Sequence, residues 1–331
     1  MRPQITVIIS CFNGEPWLPR CLDSVLAQSV GTQSLRVVII NDGSSDGSAA
    51  VIESYRIKYP ELLHVVSQEN RGIASSRNTG VSLAETKWLA FLDCDDWLDA
   101  DYFERLLAAG EKANADIVAC GYRRTSAEGK VFYTRAAVNT EWHPFAHAEV
   151  CAKLHRTDFV KRSGAAFFKN PFTDDILFTF AENAALGVFT AIDYCGYNYL
   201  KNPSSITGSI SNKAFSEIKL FDVLENLRQT DCGDIGRFNI VVVAAYGLLR
   251  SHFKAPFAEF AANTAAASAW LRQNIAGIER NPFLKRRPEG CPLTTWFAAK
   301  AFLDAGTKGG WRVRALFALY SAFLKRIIFS K

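Results

Sequence analysis

A chain of 331 residues that is 49% hydrophobic and 21% charged holds enough apolar material for one large or two smaller packed domains, which excludes a tail or a fibre. Its net charge of +5, from 38 Lys and Arg against 33 Asp and Glu, is too small and too dispersed to mark a nucleic-acid-binding protein, although an anionic substrate or an anionic membrane surface suits it. The eight cysteines form no CxxC pair, no basic secretory leader precedes the first strand pattern, and no apolar run reaches the roughly 20 residues that span a bilayer, so a cytoplasmic, reducing address is expected.

In chain order, "QITVIIS" is a β-branched run suited to a strand buried on both faces. It is followed by "EPWLPRCLDSVLAQS", in which Leu18, Cys21, Leu22, Val25 and Leu26 fall on one helical stripe. "LRVVIIND" repeats the buried strand, "GSSDGS" is a turn, and "AAVIESYRIKY" is a helix that Ser45 or Asp46 would cap. "LLHVVSQ", "GIASSRNTGVSLA", "KWLAFLD", "DADYFERLLAAGEKA" and "ADIVACGY" continue the strand and helix alternation. Repeated βα units predict an α/β fold, a mostly parallel sheet flanked by helices. Beyond about residue 124 the rhythm weakens. "KVFYTR" reads as a strand, "VCAKLHRTDFVKRSG" as a helix ending at Gly164, and "TDDILFTFAENAALG" as a helix with an acidic start. From about 213 the pattern is helical, which places a boundary at 208 to 215 and divides the chain into 1–210 and a helical C-terminal region, 211–331.

In open α/β sheets ligands bind at the carboxyl ends of the strands, and acids collect there. Asp42 closes the second strand, and "FLDCDDWLD", Phe91 to Asp99, puts four aspartates in nine residues after the fourth. A single Asp after a strand is often only a helix cap, a reading that stays open for Asp42, but one cap does not require three acids. In an extended turn Asp93 and Asp95 face one way. Hard carboxylates that converge without histidine suit Mg²⁺ or Mn²⁺ bridged to phosphates, and the soft thiol of Cys94 is a poor ligand for either. "SCFNGEPW" lacks the G-x-G-x-x-G turn of a dinucleotide site, and "NDGSSDGS" lacks the P-loop spacing and lysine. A metal-held nucleoside diphosphate remains.

Five segments, "TVIISCFNGEPWLPRCLDSVLAQS", "VVIINDGSSDGS", "ENRGIASSRNTG", "WLAFLDCDDWL" and "FTDDILF", together with "AKLHRTDF" and "NPSSIT", resemble in content and order the inverting GT-A-fold glycosyltransferases of family 2. The resemblance covers roughly residues 4 to 207 and implies transfer of a sugar from a nucleotide-sugar donor, a UDP-sugar, to a glycan or lipid-linked glycan acceptor in cell-surface polysaccharide synthesis. It implies that Asp93 and Asp95 are the acids of a D-x-D motif, with Asp95 the direct ligand of Mn²⁺ or Mg²⁺ and Asp93 nearer the ribose and diphosphate. It puts Ser10, Phe12, Asn13, Glu15, Asp42 and Cys94 on the nucleotide sugar. Asn70, Gly72 and Arg77 match a segment that closes over the nucleotide, where Arg77 would pair with phosphate; by itself Arg77 reads more readily as a surface helix charge. Asp175, the second acid of the pair Asp174-Asp175, is the implied base, while the same residues also form a good acidic helix start. Asp96 would support the turn and Asp99 would cap the next helix.

Two features depart from the family pattern. Leu200 stands where relatives often have arginine, with Lys201 one position away, and Lys153 has either an acceptor-site or a structural role. At the C-terminus the apolar run Ala315 to Leu324 lies among Arg312, Arg314, Lys325 and Arg326, which scatter around a helix. It suits burial against the catalytic domain or a second subunit of a homo-oligomer, or shallow peripheral docking on the inner face of the plasma membrane. Two rivals to transfer are a catalytically inactive nucleotide-sugar-binding regulatory module and a sugar nucleotidyltransferase; the latter calls for a glycine- and lysine-rich loop that "SCFNGEPW" does not provide.

Overall fold

In the computed structural model, which describes residues 2–146, 149–168, 174–185, 187–202, 220–228, 233–251 and 257–304, the N-terminal β-branched run forms strand β1 (Ile5–Cys11). Ile5, Val7 and Ile9 enter one core layer and Ile8 the other, the alternation expected of a strand covered on both faces. Helix α1 (Leu18–Leu26) buries Leu18, Cys21, Leu22 and Val25 against the first layer. Burying each such side chain contributes about 2 kcal/mol. The chain continues through β2 (Leu35–Asp42), α2 (Ser48–Lys58), β3 (Leu63–Gln68), α3 (Ile73–Leu83), β4 (Trp88–Asp93), a two-residue β5 (Trp97–Leu98) and α4 (Tyr102–Ala113). Helix α3 lies close on the sheet: a Cβ added at Gly80 would stand 2.2 Å from Ile8 Cγ2.

The second stretch contains β6 (Ile117–Thr125), β7 (Val131–Arg135), β8 (Lys153–Arg156), α6 (Thr157–Ser163), α7 (Asp174–Ala184) and β9 (Phe189–Leu200); the short helix α5 (His143–Ala146) belongs to the second unit described below. The expected helix over "VCAKLHRTDFVKRSG" is therefore half strand. Lys153–Arg156 inserts antiparallel between β4 and β6, with His155 opposite both Leu89 and Ile117, and only Thr157–Ser163 is helical. One sheet of nine strands results among the described residues, in the order β3-β2-β1-β4-β8-β6-β9-β5, with β7 on the edge of β6. It has a parallel half, β3, β2, β1 and β4, and a mixed half in which only β6 and β9 pair in parallel. Register aligns Ser10 with Asp93 and Asp42 with Gln68, so the carboxyl ends of β1 to β4 share one edge.

By its contacts the chain forms two compact units, residues 1–139 with 147–209 and residues 140–146 with 210–331. The second unit is helical, with α8 (Leu220–Arg228), α9 (Gly233–Ser251), α10 (Phe257–Asn274) and α11 (Leu293–Asp304). Leu224, Phe238, Val241, Phe260, Leu271 and Phe302 form its core. Trp142 packs edge-on against Phe238, and Glu141 receives both guanidinium nitrogens of Arg286. No helix among the described residues is long and apolar enough to cross a membrane. The basic and apolar tail from Arg312 to Arg326 lies outside the described residues, as do Thr173 and most of "NPSSIT".

Candidate active site

The loops after β1 and β2 brace each other. Asn13 takes a left-handed backbone conformation (φ 52°), which asparagine tolerates, and its Oδ1 accepts from Ser45 N at 2.8 Å. Glu15 Oε2 accepts from Gly47 N at 2.8 Å, and Gly14 N donates to Ser48 Oγ at 2.9 Å. Phe12 is half exposed, and Ser10 Oγ is buried with no partner among the described residues. Asp42 is buried and ties β2 to the next turn: its Oδ1 accepts from Gln68 Nε2 (2.7 Å) and Arg71 N (2.9 Å), and its Oδ2 from Gly72 N (2.8 Å). It does not cap α2, whose N-cap is Gly47. Gly43 (φ 73°) permits this approach, since a Cβ there would stand 2.7 Å from Asn70 N.

The acids of "FLDCDDWLD" separate. Asp93 ends β4, and its carbonyl accepts from Asp96 N at 3.0 Å, closing a tight turn. Asp96 points inward, where Tyr197 OH (2.6 Å) and Leu200 N (2.8 Å) donate to its two oxygens. Burial and the neighbouring Asp95 and Asp93 push its carboxyl well above the ordinary carboxylate range. Among the described residues Asp95 has one long side-chain contact, from Asn202 Nδ2 at 3.4 Å, and burial, with the charge of Asp93, pushes it up to about 6. Cys94 turns back to Cys11, whose thiol is lowered to about 7 chiefly by their hydrogen bond. Asp99 is not the helix cap: it receives Arg123 Nη2 at 2.9 Å and Asn198 Nδ2 at 2.8 Å, and Asp101 occupies the N-cap position of α4.

Arg77 joins the distant parts. Its side chain is 6% exposed, which excludes a surface helix charge; Nη2 meets Asp93 Oδ1 at 3.0 Å and Nη1 meets Asp175 Oδ1 at 2.5 Å. Phe167 packs under the guanidinium, 5.3 Å from its centroid. Asp175 lies in the first turn of α7. Burial raises its carboxyl and Arg77 opposes that rise; among the described residues Oδ2 has the Val150 amide at 3.5 Å. The buried pair of His155 and Glu182 escaped the sequence reading. His155 and Glu182 are fully buried with Nδ1 and Oε1 2.7 Å apart, while His155 Nε2 faces Val150 O at 3.2 Å. The carbonyl can only accept, so Nε2 carries a proton and another lies between Nδ1 and Glu182. Lys153 is buried beside them, its amine lowered by burial and opposed by Glu182, Glu149 and Asp175. The sequence signal of His155 and Lys153 is four residues, "KLHR", on a strand with no visible period, and Glu182 comes from α7.

The stretch that carries two acids at the end of β4, a third on α7 and an arginine between them matches a known family: the family model of Glycosyl transferase family 2 matches residues 6–175. The chain belongs to that family. Among its relatives, the glycosyltransferase EpsJ of Bacillus subtilis (strain 168) is 28% identical over 223 residues, 62% of this chain and 64% of EpsJ. The minor teichoic acid biosynthesis protein GgaB of the same organism is 33% identical over 116 residues, 34% of this chain and 13% of GgaB. The chain thus spans less than two thirds of either relative. The crystal structure of S. aureus TarS 1-349 superposes with a TM-score of 0.65 at 16% identity over 99% of this chain and 93% of TarS. Its complex with UDP-GlcNAc gives 0.61 at 18% identity, over 98% of this chain and 91% of TarS. The mannosyltransferase PcManGT from Pyrobaculum calidifontis, in complex with GDP-Man and Mn²⁺, gives 0.53 at 15%, over 98% of this chain and 88% of that one. This family 2 glycosyltransferase has the GT-A fold, with a helical C-terminal region.

Proposed function

We propose that this family 2 member moves a sugar from a UDP-sugar to an acceptor hydroxyl with inversion at the anomeric carbon, in the assembly of a cell-surface polysaccharide of the capsule or lipopolysaccharide kind. The observation that carries the reading is the Arg77 bridge, which fixes Asp175 at one arm's length from the donor-side acid Asp93. Asp175 Oδ2 takes the proton of the acceptor hydroxyl as that oxygen attacks the anomeric carbon, and the bond to the nucleoside diphosphate breaks on the opposite face. One displacement inverts the centre. Ser10, Phe12, Asn13, Glu15, Asp42, Asn70, Gly72 and Cys94 shape the nucleotide pocket on this reading, mostly through the braced loops they hold. TarS, crystallised with UDP-GlcNAc, supports a UDP-sugar donor, and the teichoic acid relative GgaB supports polysaccharide synthesis.

The acids suit a divalent cation. Asp95 is the one with little else to bind among the described residues, and burial, with the neighbouring charge of Asp93, raises its carboxyl, which supports this reading. No three His, Cys, Asp or Glu side chains among the described residues form a ready cage. Asp95, with Asp93, would therefore hold Mn²⁺ or Mg²⁺ together with diphosphate oxygens and water, the usual sharing for these ions. When bound, the ion supplies positive charge to the diphosphate. PcManGT, crystallised with Mn²⁺, supports this assignment.

The test is a screen of nucleotide sugars for transfer or slow donor hydrolysis with Mn²⁺, Mg²⁺ or a chelator, with the anomeric proton of the product read by NMR. Metal-dependent consumption of a UDP-sugar and an inverted product are expected. A retained configuration would overturn the single displacement, and donor binding without any turnover would leave an inactive binding module.

A further inference from the structure

We infer that the surface formed by β6, β7 and β9 is an acceptor subsite for an anionic glycan, a sugar chain carrying phosphate or carboxylate groups; the inference rests on the glycosyl-transfer reading and names its acceptor class. Register puts Arg124 of β6 opposite Tyr133 of β7 and Tyr199 of β9. Its guanidinium lies between the two rings, 5.5 Å and 5.7 Å from their centroids. Arg124 is exposed and has no carboxylate partner among the described residues. Beside it Phe132 and Tyr133 are each about half exposed, and Lys201 stands over Phe132 at 5.5 Å. Exposed aromatic rings gathered on one strand mark a binding surface, because leaving them in water forfeits the stabilisation that burial would give. Their flat faces suit the C–H faces of sugar rings.

The charge of this surface selects the sugar. At the turn Ser126 to Lys130, Arg20 donates to Ala127 O at 2.6 Å while stacking on Trp97, and Lys201 N donates to Thr125 O at 2.9 Å. Arg20, Arg124, Lys130 and Lys201 thus rim one strand end with no carboxylate partner among the described residues, and the nearby Glu128 is bonded to Ser126 Oγ at 2.6 Å. Four uncompensated cations raise the local concentration of anions. The surface also reaches the chemistry on both sides. Tyr122 and Arg135 bond Glu149 Oε1, and the next residue, Val150, presents its amide to Asp175. Glu149 Oε2 is buried and has no donor among the described residues. On the other side Asn202, next to Lys201, reaches Asp95.

Binding of defined oligomers to the full chain tests this: a galacturonate hexamer, a glycerol-phosphate hexamer, a neutral cellohexaose, and phosphatidylglycerol vesicles. Variants are Arg124→Gln with Tyr133→Ala, and Tyr133→Phe alone, with UDP binding measured on each protein. At least one anionic hexamer should bind the wild type and the neutral one far more weakly. The double variant should lose about tenfold, the loss of one cation and one stacking ring, while Tyr133→Phe and all UDP affinities stay unchanged. Equal binding of neutral and anionic hexamers, no binding of either anionic hexamer, or indifference to the double variant would overturn the subsite. Capture by vesicles alone, lost in the double variant, would overturn it in favour of a membrane surface. Failure of the wild type to bind UDP or any nucleotide sugar would sink the transfer reading instead, a separate outcome from the hexamer result.

Discussion

The parallel half of the sheet, β1 to β4, and the mixed half, β5 to β9, contribute to the site in different ways. In the first, each strand returns through a short βα crossover, and the strand-end loops hold one another: Asn13 to Ser45, Glu15 to Gly47, Asp42 to the Asn70–Gly72 turn. The residues proposed to grip a nucleotide come ready-braced by these loop contacts. In the second half the partners are remote: Tyr197 and Leu200 on β9 hold Asp96, and Asp175 on α7 meets Arg77 across 98 positions of sequence. The first half braces its own strand-end loops, and the second supplies hydrogen-bond donors to Asp96 and the carboxylate of Asp175 that meets Arg77.

The largest expected effect belongs to the second half. Asp175→Asn should lower transfer by about 10³-fold, the range of a removed general base, while donor affinity stays within a few-fold of wild type. Steady-state kinetics and donor titration check this, and transfer that survives would remove Asp175 from the chemistry. Next, Arg77→Met leaves Asp93 and Asp175 without their shared cation. It should cost about 3 kcal/mol in urea unfolding, and a second change, Asp93→Asn, should recover part of the loss. Purely additive losses would show that the bridge does not couple the two acids. Tyr197→Phe removes a donor from the buried Asp96 and should cost about 1–2 kcal/mol; unchanged stability would mean that the strand amide at Leu200 suffices.

The difference between the halves also explains what could be read from the sequence. β1 and β2 are runs rich in Ile and Val, β4 is the apolar run Trp-Leu-Ala-Phe-Leu, and each leads to Asn, Asp or Gly, so burial on both faces and the turn that ends it leave local marks. β8 is four residues, Lys-Leu-His-Arg, whose buried His and Lys satisfy one another through Glu182, Glu149 and Asp175 rather than through apolar patterning. β9 loses its alternation because its pairing with β6 shifts register on both sides of Gly121. The D-x-D acids and Asp175 were legible through motif order. The arginine that joins them was legible only as a residue near phosphate, since the carboxylates it holds come from elements far away in sequence.

The smallest expected effect concerns pH. Asp95 stands at about 6 in the folded chain, raised first by burial and then by Asp93, against about 3.9 when unfolded. A raised carboxyl stabilises the fold below pH about 4, and that contribution is lost as pH rises through about 6. In chelator, wild type should therefore lose on the order of 1 kcal/mol relative to Asp95→Asn between pH 4 and pH 7. A difference independent of pH would contradict the crowding of charge at the end of β4.

The most direct measurement of the central claim is calorimetric titration of UDP and of the accepted UDP-sugar into Asp95→Ala and Asp175→Asn, with Mn²⁺ and with chelator. The account predicts that Asp175→Asn binds the donor with wild-type affinity and full Mn²⁺ dependence while transferring nothing, and that Asp95→Ala loses the Mn²⁺-dependent part of binding. Mn²⁺-dependent donor binding that survives in Asp95→Ala, or donor binding that disappears in Asp175→Asn, would contradict the division of the acids into a donor-holding pair and a base.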